Sequence, residues 1–157
     1  MSLKGSALAL SRCELLKEFS ETGLAILSGV AVERVVSAGT PLFVEGMASD
    51  AFFVLSRGAM RITVNRDGGQ QVLGVLGVGD ALGQVSLLRS GGVRMVSAIA
   101  DGDSEVVEIR SRDFGRLQAQ KPQACLKLMM AVAGQFGRML EENQDVFKRA
   151  VLNPRKG

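Results

Sequence analysis

The stretch Gly79-Asp80-Ala81-Leu82-Gly83-Gln84-Val85-Ser86-Leu87-Leu88, closed by Gly91-Gly92-Val93-Arg94, has residue types and spacing that point to chemistry. It reads as a strand that ends in a glycine-rich turn and enters about one helical turn. The first turn of a helix offers unpaired backbone N–H groups at the positive end of its dipole, which suits an anion. Gly83 lets a ligand approach the backbone closely, and Arg94 returns opposite it with a planar fork for a phosphate or carboxylate. A plain turn followed by a surface Arg would leave the same residues, and the stretch alone keeps both readings open.

Composition removes competing chemistry. The 157 residues contain no His, Trp or Tyr. Without His there is no Ser–His or Cys–His nucleophile pair and no imidazole metal ligand. The two cysteines, Cys13 and Cys125, are too few for a four-thiolate zinc or iron–sulfur site in one chain. Asp101 and Asp103 flank Gly102, but no third acidic ligand follows at calcium-loop spacing, so a hairpin turn is expected there. The chain is therefore not expected to be an enzyme or to carry a metal. A formal charge of +3, from 19 Lys and Arg against 16 Asp and Glu, is too dilute for a nucleic-acid-binding stripe. No apolar run reaches membrane-span length, and Arg12 and Glu14 interrupt any early signal-like core. Two distant thiols suit a reducing compartment, and a cytoplasmic location is expected.

Three segments position this stretch. Residues 1–30 read as a helical segment, with Leu10, Cys13, Leu16 and Phe19 recurring at threes. Residues 31–120 read as a β domain closed by a short helix. This segment holds most of the glycines, and its β-branched runs are separated by turns such as Ala38-Gly39-Thr40-Pro41, Arg66-Asp67-Gly68-Gly69 and Asp101-Gly102-Asp103. That rhythm suits an antiparallel roll or barrel rather than a parallel sheet. Phe52–Leu55 and Arg61–Val64 are expected to pair as one hairpin, and Asp67-Gly68 marks the next turn. Ser111 is expected to cap the short helix. Residues 121–152 read as one long helix opened by Pro122. Its apolar rows, Leu126, Ala133, Leu140, Phe147 and Met129, Phe136, Asn143, Ala150, keep a seven-residue beat that predicts a homodimer seam. Asn143 either sets dimer register or reaches a ligand. Gly134 and Gly137 either admit a close neighbour or mark a bend.

The segment from Val36 to Glu142 resembles the cyclic nucleotide-binding domain of the catabolite activator and fumarate–nitrate regulator family. Ala38–Gly46 looks like that family's first strand and glycine turn, and Phe52–Ile62 resembles the elements that follow. Leu76–Gly83 is similar to the approach to its phosphate-binding cassette, and Gly83–Arg94 has the cassette's length. The resemblance implies a mainly β fold, an antiparallel β-roll of the double-stranded β-helix or jelly-roll type, flanked by N-terminal helices and a long C-terminal helix. It implies cyclic AMP or cyclic GMP as ligand, with no other cofactor required. Arg94 matches the Arg that pairs with the cyclic phosphate, and the backbone around Val85 and Ser86 matches the amides that cradle it, with Met95 beside them. Gly83 and Gln84 match the ribose position, and Asn143 on the long helix falls toward the base.

Two residues depart from the pattern. Gln84 stands where the family has a Glu that accepts from the ribose hydroxyl. A neutral acceptor replaces a charged one there, at a cost of about tenfold in affinity. Met95 stands where the family has a small or hydroxyl residue, so one phosphate donor is lost. The four-Cys pattern of the oxygen-sensing branch is absent, and the haem-sensing branch would need His. The implied function is a sensor module that answers a cyclic nucleotide by moving its long helix. The alternatives are a scaffold that keeps the fold without the ligand, and the sensor half of a transcription regulator cut before its DNA-binding domain. The residues after the long helix are too few for a helix-turn-helix, so no direct DNA contact by this chain is expected.

Overall fold

The structure is a computed structural model and describes residues 3–152. The tail Asn153–Gly157, from which the lack of a helix-turn-helix was argued, lies outside the described residues. Two N-terminal helices, α1 (Gly5–Ser11) and α2 (Glu21–Ser28), flank a 3₁₀ turn at Glu14–Leu16. Eight strands follow: β1 (Val32–Val36), β2 (Pro41–Phe43), β3 (Ala51–Arg57), β4 (Met60–Arg66), β5 (Gly69–Leu76), β6 (Ala81–Leu82), β7 (Ser97–Ala100) and β8 (Ser104–Arg110). Three helices close the chain: α3 (Ser111–Gln120), α4 (Pro122–Glu142) and α5 (Gln144–Leu152). The strands form two four-stranded sheets, ordered β1-β8-β3-β6 and β2-β7-β4-β5, with every pairing antiparallel. This is the antiparallel β-roll with flanking helices that the sequence implies.

The first sheet is covered on both faces, which explains the unbroken apolar run Ala51–Leu55 in β3. Successive side chains of a strand point to opposite faces. Phe52 and Val54 join Val107, Ile109, Leu10, Leu27, Phe114, Leu128 and Val132 in a core under the helices. Phe53 and Leu55 join Phe43, Met60, Leu82, Ala98 and Val106 in a second core between the sheets. Each large apolar side chain so buried contributes roughly 1.5–3 kcal/mol. On β8 the alternation puts Val106 on the inter-sheet side, and it carries Glu108 to that same side.

Two expectations about connectivity are corrected. Phe52–Leu55 and Arg61–Val64 do not pair. β3 bonds to β8 and β6, whereas β4 bonds to β5 and β7 in the other sheet. Gly58, at φ +83°, turns the chain from one sheet to the other, and a Cβ there would lie 2.7 Å from the Asp103 carbonyl oxygen. The Asp67-Gly68 turn does join β4 to β5, with both residues at positive φ, as a two-residue hairpin turn requires.

The second correction concerns the long helix. It is interrupted at Asn143, whose backbone leaves helical geometry at φ −120°, ψ 41°. The Asn143 side chain donates from Nδ2 to the Met139 carbonyl at 2.8 Å. A short amide side chain that bonds a nearby backbone carbonyl competes with the helical ladder. Pro122 occupies the first turn of α4, where its missing N–H costs nothing.

Candidate functional site

Gly83 is the pivot of the site. It ends β6 in the left-handed region at φ +73° and leads into the 3₁₀ turn Gln84–Leu87. A Cβ on Gly83 would lie 2.4 Å from Nη1 of Arg94 and 2.5 Å from the Ala51 carbonyl oxygen, so glycine is demanded twice, by conformation and by space. Within the turn, Ser86 N–H donates to the Gly83 carbonyl at 3.0 Å, and Ser86 Oγ donates to the same oxygen at 2.7 Å. The expectation that the Ser86 amide faces an anion is corrected accordingly, because the turn's own i to i+3 bond uses it. The unpaired amides of this turn are those of Gln84 and Val85.

Arg94 is the buried cation of the site, with 5% of its surface exposed. Its backbone is stitched to the loop before β3: Arg94 N–H donates to Met47 O at 2.7 Å, and Gly46 N–H donates to Arg94 O at 2.8 Å. Its guanidinium lies 4.3 Å from the centroid of Phe43 and 5.5 Å from that of Phe53, two rings stacked at 5.9 Å. Nη2 donates to the Ala51 carbonyl at 3.0 Å and stands 3.8 Å from Asp50 Oδ1. Nε is buried with no hydrogen-bond partner. Burial pulls the Arg94 pKa down, and Asp50 and Glu108 pull it back up. The guanidinium keeps its charge at any pH near neutrality.

These groups open onto a cleft of about 490 Å³. One wall is the turn, with Gly83, Gln84, Val85, Arg94 and Met95. The other is α4, with Gln135, Phe136 and Met139. Gln84 Nε2 donates to Gln135 Oε1 at 3.2 Å across the gap. Met95 is 78% exposed at the rim. Six of the seven residues singled out from the sequence, Gly83, Gln84, Val85, Ser86, Arg94 and Met95, therefore belong to one turn and the loop that leads into β7. Only Ser86 does not line the cleft.

Asn143 is the exception. It is exposed at the end of α4, bonds its own helix and does not line the cleft. Gln135, Phe136 and Met139 hold the helix-side position instead, one to two turns earlier. Phe136 stood in the heptad row with Asn143, but nothing in the row says which member faces the cleft.

Ser111 was expected to cap α3 and is instead its first residue. Its Oγ donates to the Ser86 carbonyl at 3.0 Å, which ties the turn to α3.

A glycine-led 3₁₀ turn and a buried guanidinium thus face a helix across the cleft. A family model described as Cyclic nucleotide-binding domain matches residues 33–121. The chain belongs to the cyclic nucleotide-binding domain family. It is 31% identical over 119 residues to Glutaminase 1 of Bradyrhizobium diazoefficiens, a match that covers 76% of this chain and 19% of that protein. It is 32% identical over 90 residues to the Cyclic AMP receptor protein of Thermus thermophilus, covering 57% of this chain and 41% of that one. The chain thus spans well under half the length of these relatives. Among solved structures, the N-terminal domain of a transcriptional regulator from Streptomyces coelicolor A3(2) superposes with a TM-score of 0.75 at 24% identity, covering 88% of this chain and 94% of that one. Cyclic nucleotide-binding domains of this kind are regulatory modules, and here the β-roll carries no helix apolar and long enough to cross a membrane among the described residues.

Proposed function

We propose that this chain is a non-catalytic sensor module that binds cyclic AMP or cyclic GMP in the cleft between the Gly83–Arg94 turn and α4. The observation that carries the reading is the pairing of a buried Arg94, its Nε unpartnered, with the unpaired Gln84 and Val85 amides at the turn it faces. A cyclic phosphate offers acceptors for both. Gly83 and Gln84 stand at the ribose, and Gln135, Phe136 and Met139 face the base. The similarity to the Cyclic AMP receptor protein of Thermus thermophilus supports the nucleotide class. A ligand shifts the position of α4 only through contacts that differ between two positions of that helix, and the helix wall supplies those contacts. The module works in the cytoplasm as a homodimer, with the outward row Leu126, Ala133 and Leu140 of α4 as its seam; all three are exposed.

Calorimetric titration with cyclic AMP and with cyclic GMP tests this. Saturable binding is expected, and Arg94→Ala weakens it by roughly 10- to 100-fold, the worth of a charged hydrogen bond. No heat with either nucleotide at millimolar concentration sinks the proposal. That outcome favours the scaffold reading, which Met95 at the rim and the Gln84–Gln135 bond support.

A further inference from the structure

We propose that a second cleft, which shares Phe43, Ser49 and Arg94 with the nucleotide cleft, binds a small oxyanion of two negative charges. The cleft has a volume of about 670 Å³, and Arg34, Arg94, Arg110 and Arg112 line it together with two acids, Asp50 and Glu108. Four guanidinium groups against two carboxylates leave its wall with an excess of two positive charges. Glu108 is the hub. Its side chain is 7% exposed on the inter-sheet face of β8, where it holds Arg34 Nη1 at 3.6 Å and Arg110 Nε at 3.8 Å. Those separations are ion pairing beyond hydrogen-bond contact, and Glu108 Oε2 accepts no hydrogen bond.

The donors around this hub are accordingly unspent. The side chains of Arg34, Arg110 and Arg112 make no hydrogen bond among the described residues. Each guanidinium carries five N–H donors in a planar fork that fits two oxygens on one centre. Arg34 and Arg110 are about half exposed, so their forks reach a molecule in the cleft without unfolding anything. A phosphoryl group or a dicarboxylate satisfies this wall. Its volume falls within the range of ordinary small-molecule sites.

Titration of ¹⁵N-labelled chain with inorganic phosphate and with succinate tests the site, each against sodium chloride at equal ionic strength and with no nucleotide present. Saturable shifts of the Ser90, Gly91, Ser111 and Arg112 amides are expected. Saturation by phosphate alone assigns a phosphoryl ligand, and saturation by both anions assigns oxyanions generally. Arg34→Ala and Arg112→Ala, both at exposed side chains, should each weaken phosphate about tenfold while leaving the spectrum folded. Shifts that track sodium chloride overturn the proposal. So do shifts confined to Gln84 and Val85, which would place the anion in the nucleotide cleft instead. Because no nucleotide is used, failure of nucleotide binding leaves this outcome readable.

Discussion

The two walls of the nucleotide cleft are built in opposite ways. The turn wall is over-determined: Gly83 is fixed by φ and by space, Arg94 is buried against two rings, and Ser86 bonds Gly83 twice. The α4 wall is held loosely. Cys125, Leu128 and Val132 bury the first half of the helix, whereas at the cleft the helix offers a half-buried Phe136, an exposed Met139 and one 3.2 Å amide bond. In the proposed sensor, the pre-formed turn side would hold the phosphate in every state, and contacts from the loosely held helix side would distinguish the states.

The contrast is sharpest at the glycines. Gly83→Val places a β-branched side chain where a Cβ already clashes, and should cost about 3 kcal/mol or more, read as a fall in the urea midpoint. If stability held, the turn wall would not be rigid. Gln84→Glu tests the turn's outer edge. A charged acceptor should raise cyclic nucleotide affinity by about tenfold, measured by calorimetry, and an unchanged affinity would show that this side chain serves only Gln135. On the loose wall, Gly137 has open space around its Cβ position. Gly137→Ala should therefore stabilise α4 by up to about 1 kcal/mol, seen in thermal melting, and a destabilisation would reveal a close neighbour.

The smallest effect is set by pH. Cys13 lines the cleft and Cys125 sits on the buried face of α4, and burial raises both thiols above the ordinary 9.0. The unfolded chain releases these protons at a lower pH than the folded one. Their contribution is full below about pH 9 and is lost as pH rises toward the folded values. Urea midpoints should decline above that pH, and the double variant Cys13→Ala, Cys125→Ala should flatten the decline.

Much of the turn wall was legible because its information is local. Gly83, the eleven-residue run from Gln84 to Arg94 and the Asp67-Gly68 hairpin each follow from backbone conformation at one or two positions. What escaped depends on partners distant in sequence. Gly58 looks like an ordinary hairpin glycine, and only packing against Asp103 and Ser104 shows that it turns between sheets. The Ser111 hydroxyl goes to Ser86, twenty-five residues back, rather than to its own helix. Asn143 fits the heptad row by spacing, yet its amide bonds Met139 and ends the helix. In the sequence, Glu108 is one charged residue among the apolar neighbours Val106, Val107 and Ile109. Its neighbours Arg34 and Arg110 come from a paired strand and from two positions along its own.

The Ser111–Ser86 bond has a mechanical meaning. Strand β8 passes into α3 with no intervening loop, and α3 is separated from α4 by Lys121 alone. The phosphate turn, α3 and the root of α4 are therefore joined like the arms of a crank with little slack between them. In the proposed sensor, a displacement applied at Ser86 would be delivered to the base of α4 rather than absorbed along the way. The joint that can yield lies at the far end of the lever, at Asn143, where the chain has already let go of its helix.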